Sequence, residues 1–204
     1  MAITWDNNNK GTNVVLSNNN LTANCTGIIN CSVLSTKGYS TGKYYWEITM
    51  SQIGNALIGI CLSTFNVSGN FIGNTSDSYS YYINGNKYNG GTVSSYGSIY
   101  ETIGDVIGVA LDLDNKTISF YKNGISQGIA YSNLPSGIYY AGISSGSSST
   151  SIFTVNFGAS SFKYTIPTGF KAYDYNSNKF LIKQNNQYYS IKPEFYSNGN
   201  YSPL

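Results

Sequence analysis

Histidine and arginine are both absent from this 204-residue chain. Without histidine there is no side chain whose ordinary pKa suits general-base work near pH 7, and the commonest metal ligand is missing. Serine is plentiful, yet a hydrolytic triad would lack its base. Without arginine there is no planar fork for carboxylates, phosphates or guanine, since all 11 basic residues are lysine. Charge of either sign is scarce, at 10% of residues, and the net charge of +2 is too weak to hold a nucleic acid or a membrane surface. The three cysteines, Cys25, Cys31 and Cys61, are odd in number and irregularly spaced. That excludes a disulfide framework, and the lack of a CxxC pair excludes a zinc site, so they read as buried thiols in a reducing compartment. No apolar run approaches the length of a membrane span, and "MAITWDNNNKGT" lacks the charged start and apolar stretch of a signal peptide. These absences predict no catalytic residue, no metal, no cofactor, no nucleic-acid partner and no membrane insertion.

Helical periodicity is also nearly absent, and what takes its place is alternation. In "GDVIGVALDLDNKTISFYKNG" (104–124), Ile107, Val109, Leu111 and Leu113 fall on every second position, and Ile118 and Phe120 resume the pattern after "DNKT". "YYWEITM" puts Tyr44, Trp46, Ile48 and Met50 on one face and Tyr45, Glu47 and Thr49 on the other. "ALIGICL" turns Ile58, Ile60 and Leu62 inward, with Gly59 leaving space for a neighbour. "IFTVNFG" aligns Phe153, Val155 and Phe157. Turn clusters such as "NGNKYNGG" and "NLPSG" separate these runs. Many short strands joined by Gly/Asn turns predict an all-β, antiparallel two-sheet sandwich or a barrel. The 104–124 stretch reads as two consecutive hairpins, turned first at "DNK" and then at Asn123-Gly124, a pair suited to two positive φ angles. Such strict alternation sets register, because a slip of one residue would send every core side chain to solvent.

The blocks "TWDNNNKGTNVVLSNNNLTA", "STKGYSTGKYYWEI", "IGI", "YYINGNKYNGG", "YG", "GDVIGVALDLDNKTISFYKNG", "GIYYAGIS", "NFG" and "YTIPTGFKAYD" occur in the order of a SPRY domain. The resemblance runs over about residues 3 to 174 and is carried chiefly by "GKYYWEI" and the 104–124 block. It implies a concanavalin-like sandwich, or jelly roll, of two curved antiparallel sheets that recognises partners through end loops and is not an enzyme. The loops differ from those of animal members that bind peptides, so no peptide specificity follows.

Few residues suggest chemistry. Asp112 and Asp114 share a strand face, and with Asn115 they resemble the start of a calcium loop. The spacing breaks at Lys116 and no bidentate Glu follows, which points to a solvated hairpin end. Two carboxylates on one strand cannot flank a glycosidic bond. Glu47, opposite Trp46, reads as structural, and the Gly-rich "NGNKYNGG" lacks the helix N-terminus of a phosphate cradle. The 20 tyrosines are the informative excess. Tyr44 and Tyr140 are expected in the core or in cross-strand pairs, whereas Tyr79, Tyr82, Tyr88, Tyr96 and Tyr131 lie in turn-rich segments where burial is not expected. A Tyr ring offers flat apolar area with one hydrogen-bonding tip, which suits sugars when Asn, Asp and Ser stand beside it; β-propensity alone also favours Tyr. The long polar segment "STFNVSGNFIGNTSDSYS" (63–80) is the expected recognition loop, with Asn66, Asp77, Tyr79 and, from "SSYGS", Tyr96 as ligand-binding candidates.

Residues 175–204 read as a separate hairpin: Phe180 and Ile182 alternate, "QNNQ" turns, and Tyr188, Tyr189 and Ile191 return. This segment is similar to C-terminal parts of clostridial phage tail-type structural proteins, and the AT-rich codon usage implied by Asn, Ile, Lys and Tyr without Arg fits such a source. Two units are therefore expected: a SPRY-like sandwich over 1–174 and a C-terminal hairpin over 175–204, with Phe180, Ile182, Tyr189 and Phe195 packing on the sandwich or on a partner, a homo-oligomer included. The leading functional expectation is a non-enzymatic module of a phage or phage-derived particle, made in the bacterial cytoplasm, that binds a host cell-surface glycan. The alternatives are a structural adaptor that binds particle subunits and an intracellular SPRY-type peptide-binding module.

Overall fold

A computed structural model describes residues 2–27, 31–175, 181–184 and 187–190. The chain divides into two compact units, Met1–Tyr173 and Asp174–Leu204. Among the described residues there is no helix. Strands are numbered in chain order.

The first unit is two antiparallel sheets. The first sheet runs, in spatial order, β1 (Trp5–Lys10), β4 (Ser32–Tyr39), β13 (Tyr139–Ser145), β6 (Ala56–Leu62), β7 (Ser78–Tyr82), β8 (Asn86–Asn89) and β9 (Thr92–Ser95). The second runs β12 (Ile125–Tyr131), β11 (Thr117–Lys122), β10 (Val106–Asp112), β5 (Lys43–Gln52), β14 (Ser147–Asn156), β3 (Thr22–Gly27) and β2 (Val14–Ser17). Short β15 (Lys171–Ala172) pairs in parallel with Tyr44 and Tyr45 of β5, beyond the point where β14 stops. In the second unit, β16 (Leu181–Gln184) and β17 (Gln187–Ser190) pair antiparallel, which is the hairpin expected there. The side chains of Phe180, Ile182, Tyr189 and Phe195 lie outside the described residues.

The alternating residues meet between the sheets as expected. Tyr44, Trp46, Ile48 and Met50 of β5, Ile107, Val109 and Leu111 of β10, and Ile118 and Phe120 of β11 share one buried core with Ile58 and Ile60 of β6 and Phe153, Val155 and Phe157. Asn123 and Gly124 take φ of 50° and 81°, and Lys122 pairs directly with Ile125, so this is the two-residue turn the dipeptide favours. Tyr173 ties the layers together. Its amide donates to the carbonyl of Tyr45 at 2.9 Å, while its phenol donates to the Lys37 carbonyl at 2.7 Å and accepts from the Ala141 amide at 3.2 Å. One residue thus bridges β5 of the second sheet, through its amide, to β4 and β13 of the first, through its phenol.

Both outer faces are also partly covered, which alternation alone does not reveal. Every residue of β10 is buried. On its outer side Gly108 lies under the Tyr45 ring, whose hydroxyl a Cβ would strike. The segment after β14 passes over this face. Phe162 meets Tyr45 edge-on at 5.2 Å, and the Glu47 carboxylate accepts the amides of Lys163 at 2.7 Å and Tyr164 at 2.9 Å and the Tyr45 hydroxyl at 3.2 Å. Glu47 is therefore a buried clasp, in keeping with its structural reading. On the outer side of the first sheet, Leu34 and Cys61 form a second small core with Phe65 and Ile72 from the β6–β7 connection.

Candidate recognition surface

The β6–β7 connection (63–77) makes up most of the stretch 63–80 expected as the recognition loop, and it is fastened to the first sheet. Phe65 and Ile72 are buried, the Ile72 amide donates to Ser144 Oγ at 2.9 Å, and Ser32 Oγ donates to the Asn70 carbonyl at 2.6 Å. Two apolar residues in a polar segment are enough to anchor it, and the polar remainder bonds largely to itself. Asn66 is exposed, with Oδ1 accepting the Ser68 amide at 2.9 Å in a local turn. Asp77 accepts from Thr64 Oγ1 at 2.7 Å and Thr75 Oγ1 at 2.5 Å, so its carboxylate braces the base of the loop.

The expectation that Tyr79 escapes burial is corrected. It lies on β7 pointing inward, is 7% exposed, and packs edge-on to Tyr131 at 5.1 Å. Strand β7 takes in the last residues of the stretch expected as loop, and alternation along it puts Tyr79 and Tyr81 on the core side. Tyr96 is half-buried, and its hydroxyl is engaged twice: it accepts the Phe120 amide at 3.1 Å and donates to the Gly128 carbonyl at 2.6 Å. The β11–β12 ladder has register shifts on both sides of Ser119, and Gly128 has φ of 83°. The phenol thus replaces a missing rung at a β-bulge, and burial pushes it up to about 12. Of the four candidates, Asn66 alone is exposed, Asp77 and Tyr96 are half-buried and Tyr79 is buried, so the four do not present one surface.

Two surfaces do present themselves. The first is a corner at the end of the sandwich where β10 begins. Among the described residues seven large apolar side chains are exposed, and three lie here, Ile99 (55%), Ile103 (69%) and Ile125 (70%), with Ile129 (61%) further along β12, opposite Ser119. The corner is cross-tied. Lys122 Nζ donates to the Ile99 carbonyl at 2.7 Å and pairs with Asp105 at 3.6 Å, Asn123 Nδ2 donates to Asp105 Oδ1 at 2.7 Å, and the Ser98 amide donates to Gln127 Oε1 at 2.9 Å. Edge strand β12 carries no charged residue. The sequence signal was present in the two isoleucines of "ISQGIAY", Ile125 and Ile129, but the segment reads only as the returning strand of the second hairpin.

The second is the outer face of β7 and β8. Phe71, Tyr88 and Tyr82 form a row of half-buried rings, with centroids 6.4 Å and 5.3 Å apart. Val93 of β9 sits opposite Tyr88 in the ladder and is exposed. Tyr82 and Tyr88 were among the tyrosines expected at the surface. Among the described residues no three metal-ligating side chains converge.

The SPRY domain family model matches residues 43–160. Among curated proteins, the probable ATP-dependent RNA helicase ddx1 of Dictyostelium discoideum is 34% identical over 111 residues, covering 54% of this chain and 14% of that protein. The ATP-dependent RNA helicase DDX1 of Xenopus laevis is 30% identical over 153 residues, covering 74% of this chain and 20% of that protein. The chain thus spans a fifth or less of the length of these two relatives. Among solved structures, the SPRY domain of human HERC1 superposes with a TM-score of 0.62 at 22% identity, over 74% of this chain and 96% of that one. The TRIM65 PSpry domain gives 0.63 at 14% identity, over 76% and 90%. The structural likeness establishes the fold, and the family match over more than half of the chain establishes the kinship: this chain belongs to the SPRY domain family, whose members are in general protein–protein interaction modules.

Proposed function

We propose that this SPRY domain recognises a protein partner through the isoleucine corner formed by the β9–β10 connection and β12. The observation that carries the reading is the placing of three of the seven large apolar side chains exposed among the described residues, Ile99, Ile103 and Ile125, on one cross-tied corner, with Ile129 next along the edge strand. Contiguous exposed apolar area on a rigid frame is the physical mark of a protein-binding site, and a fixed surface loses little conformational entropy on binding. The partner it fits is a surface with few charges, because like the corner it must be desolvated on contact. A particle subunit, the adaptor alternative, satisfies that description.

The test is the triple variant Ile99→Ser, Ile103→Ser and Ile125→Ser, used to capture partners beside the parent protein. All three side chains are exposed, so unchanged melting with loss of capture is expected. A captured partner that protects residues outside 96–105 and 125–131 from hydrogen exchange would refute the reading.

A second reading has its own support. The row Phe71, Tyr88 and Tyr82 offers stacking area on a sheet, with Asn86 following in the same outward series on β8, which suits the cell-surface glycan expected from the tyrosine excess. Retention on immobilised host cell-wall polysaccharide, lost in Tyr82→Ala with Tyr88→Ala, is the outcome that favours it.

A further inference from the structure

Among the described residues six non-glycine positions have positive φ: Asn18, Asn19, Asn20, Asn123, Asn133 and Lys116, the last at 55°. Five are asparagine, the side chain that best tolerates this region, and one is lysine. A strained backbone maintained by an unsuited residue is a pointer to a role for that side chain. Lys116 lies at the sandwich end opposite the isoleucine corner, on a cleft of about 290 Å³. Three connections build the cleft: 40–42, 113–116 and 132–138.

The walls are fixed in place. The Gly42 amide donates to Asp114 Oδ1 at 2.7 Å, the Leu113 amide to the Gly42 carbonyl at 3.0 Å, the Leu134 amide to the Lys116 carbonyl at 3.1 Å, and the Tyr139 hydroxyl to the Pro135 carbonyl at 2.9 Å. Leu113, Leu134 and Tyr139 make an apolar floor, each less than a tenth exposed, so the floor is a thin ledge and not a socket for a large apolar side chain. The rim is polar. Among the described residues the hydroxyls of Ser40, Thr41 and Ser136 and the Lys116 ammonium have no protein partner, and Lys116 does not pair with neighbouring Asp114.

We infer that this cleft is a binding site for a single sugar ring. A pyranose presents a C–H face for the ledge and hydroxyls that both donate and accept. Asp114 takes a donated hydrogen bond, Lys116 gives one, and the three hydroxyls do either. The opposite charges of Asp114 and Lys116 balance, which favours a neutral ring over an ion. The volume is just below the range of about 300–1,000 Å³ typical of larger-ligand pockets, so one ring is the fitting occupant. The site is independent of the isoleucine corner and of the aromatic row.

The test is a chemical-shift titration of the whole protein with methyl glucoside, methyl galactoside and N-acetylglucosamine, and with glycine as a zwitterionic control. Saturable shifts with at least one sugar, confined to 40–42, 113–116 and 134–139, are expected. Lys116→Asn supplies the decisive variant, because asparagine keeps the left-handed backbone. It should melt no lower than the parent and bind at least about tenfold more weakly, the loss of one charge-assisted hydrogen bond. No sugar shifts, shifts confined to Tyr82 and Tyr88, a response to glycine alone, or unchanged affinity in Lys116→Asn would each overturn the assignment.

Discussion

Replacing Glu47 by alanine tests whether the strap after β14 is held by a single carboxylate. Glu47 is 4% exposed and accepts three hydrogen bonds, two from consecutive backbone amides, Lys163 and Tyr164, and one from the Tyr45 phenol. A hydrogen bond to a charged group contributes about 1.5–3 kcal/mol. Lys163 is itself exposed, so its freed amide can turn to water, which puts this site at the lower end of that range. The three bonds share one acceptor group and are not additive, so a total cost of about 3 kcal/mol is expected, with Glu47→Gln intermediate because its single oxygen can serve only part of the set. The assay is a urea titration by tryptophan fluorescence, supported by hydrogen exchange at residues 158–170. Loss of protection confined to the strap, with the β5–β10 amides still slow, would show local release ahead of global unfolding. A cost under about 1 kcal/mol, or a strap as protected as in the parent, would refute the clasp.

Trp46→Ala should cost about 3–5 kcal/mol as a cavity in the core, since Trp46 is fully buried against Tyr173 at 4.8 Å; near-parental stability in denaturant would contradict the packing. Because the Trp46 indole N–H has no acceptor, Trp46→Phe should cost clearly less. Gly59→Ala should cost about 3 kcal/mol or more, because its Cβ would collide with the Tyr79 carbonyl, a backbone atom that no rotamer change removes; a melting point close to the parent's would show that the strands can part. Asp112 gives an acid dependence. Burial opposes its ionisation, but the hydrogen bond and charge of Lys43 at 2.9 Å, with two bonds from Asn115, outweigh that and hold its carboxyl below the ordinary value. Its contribution is therefore complete above the unfolded pKa of about 3.9 and is lost as pH falls through the lower folded value. Asp112→Asn should lower stability at neutral pH and flatten that acid loss in a melting series, and parallel curves for the two proteins would count against the pair.

The all-β sandwich, its inward residues and the Asn123-Gly124 turn were legible in the sequence because they follow from local rules. Side chains alternate across a strand with period two, and burial of one face punishes any slip. That logic assigned Trp46, Ile48, Val109 and Phe120 to the core and Glu47 to the opposite face without reference to distant residues. The same logic could not say what lies above the outer faces. Whether Phe65 and Ile72 in a polar stretch anchor a loop or leave it free depends on a complementary hollow beside Cys61 that Leu34, about thirty residues earlier on β4, completes. Tyr79 is buried because the end of the polar stretch pairs with β6, Tyr79 opposite Ile60, and that pairing is not visible in the local sequence. Tyr96 looked like a free aromatic because its two partners, Phe120 and Gly128, come from a bulge formed only when β11 and β12 pair. The isoleucine corner and the Lys116 cleft arise where connections far apart in the chain are brought to one end of the sheets. Strand order decides that meeting, and no local pattern encodes strand order.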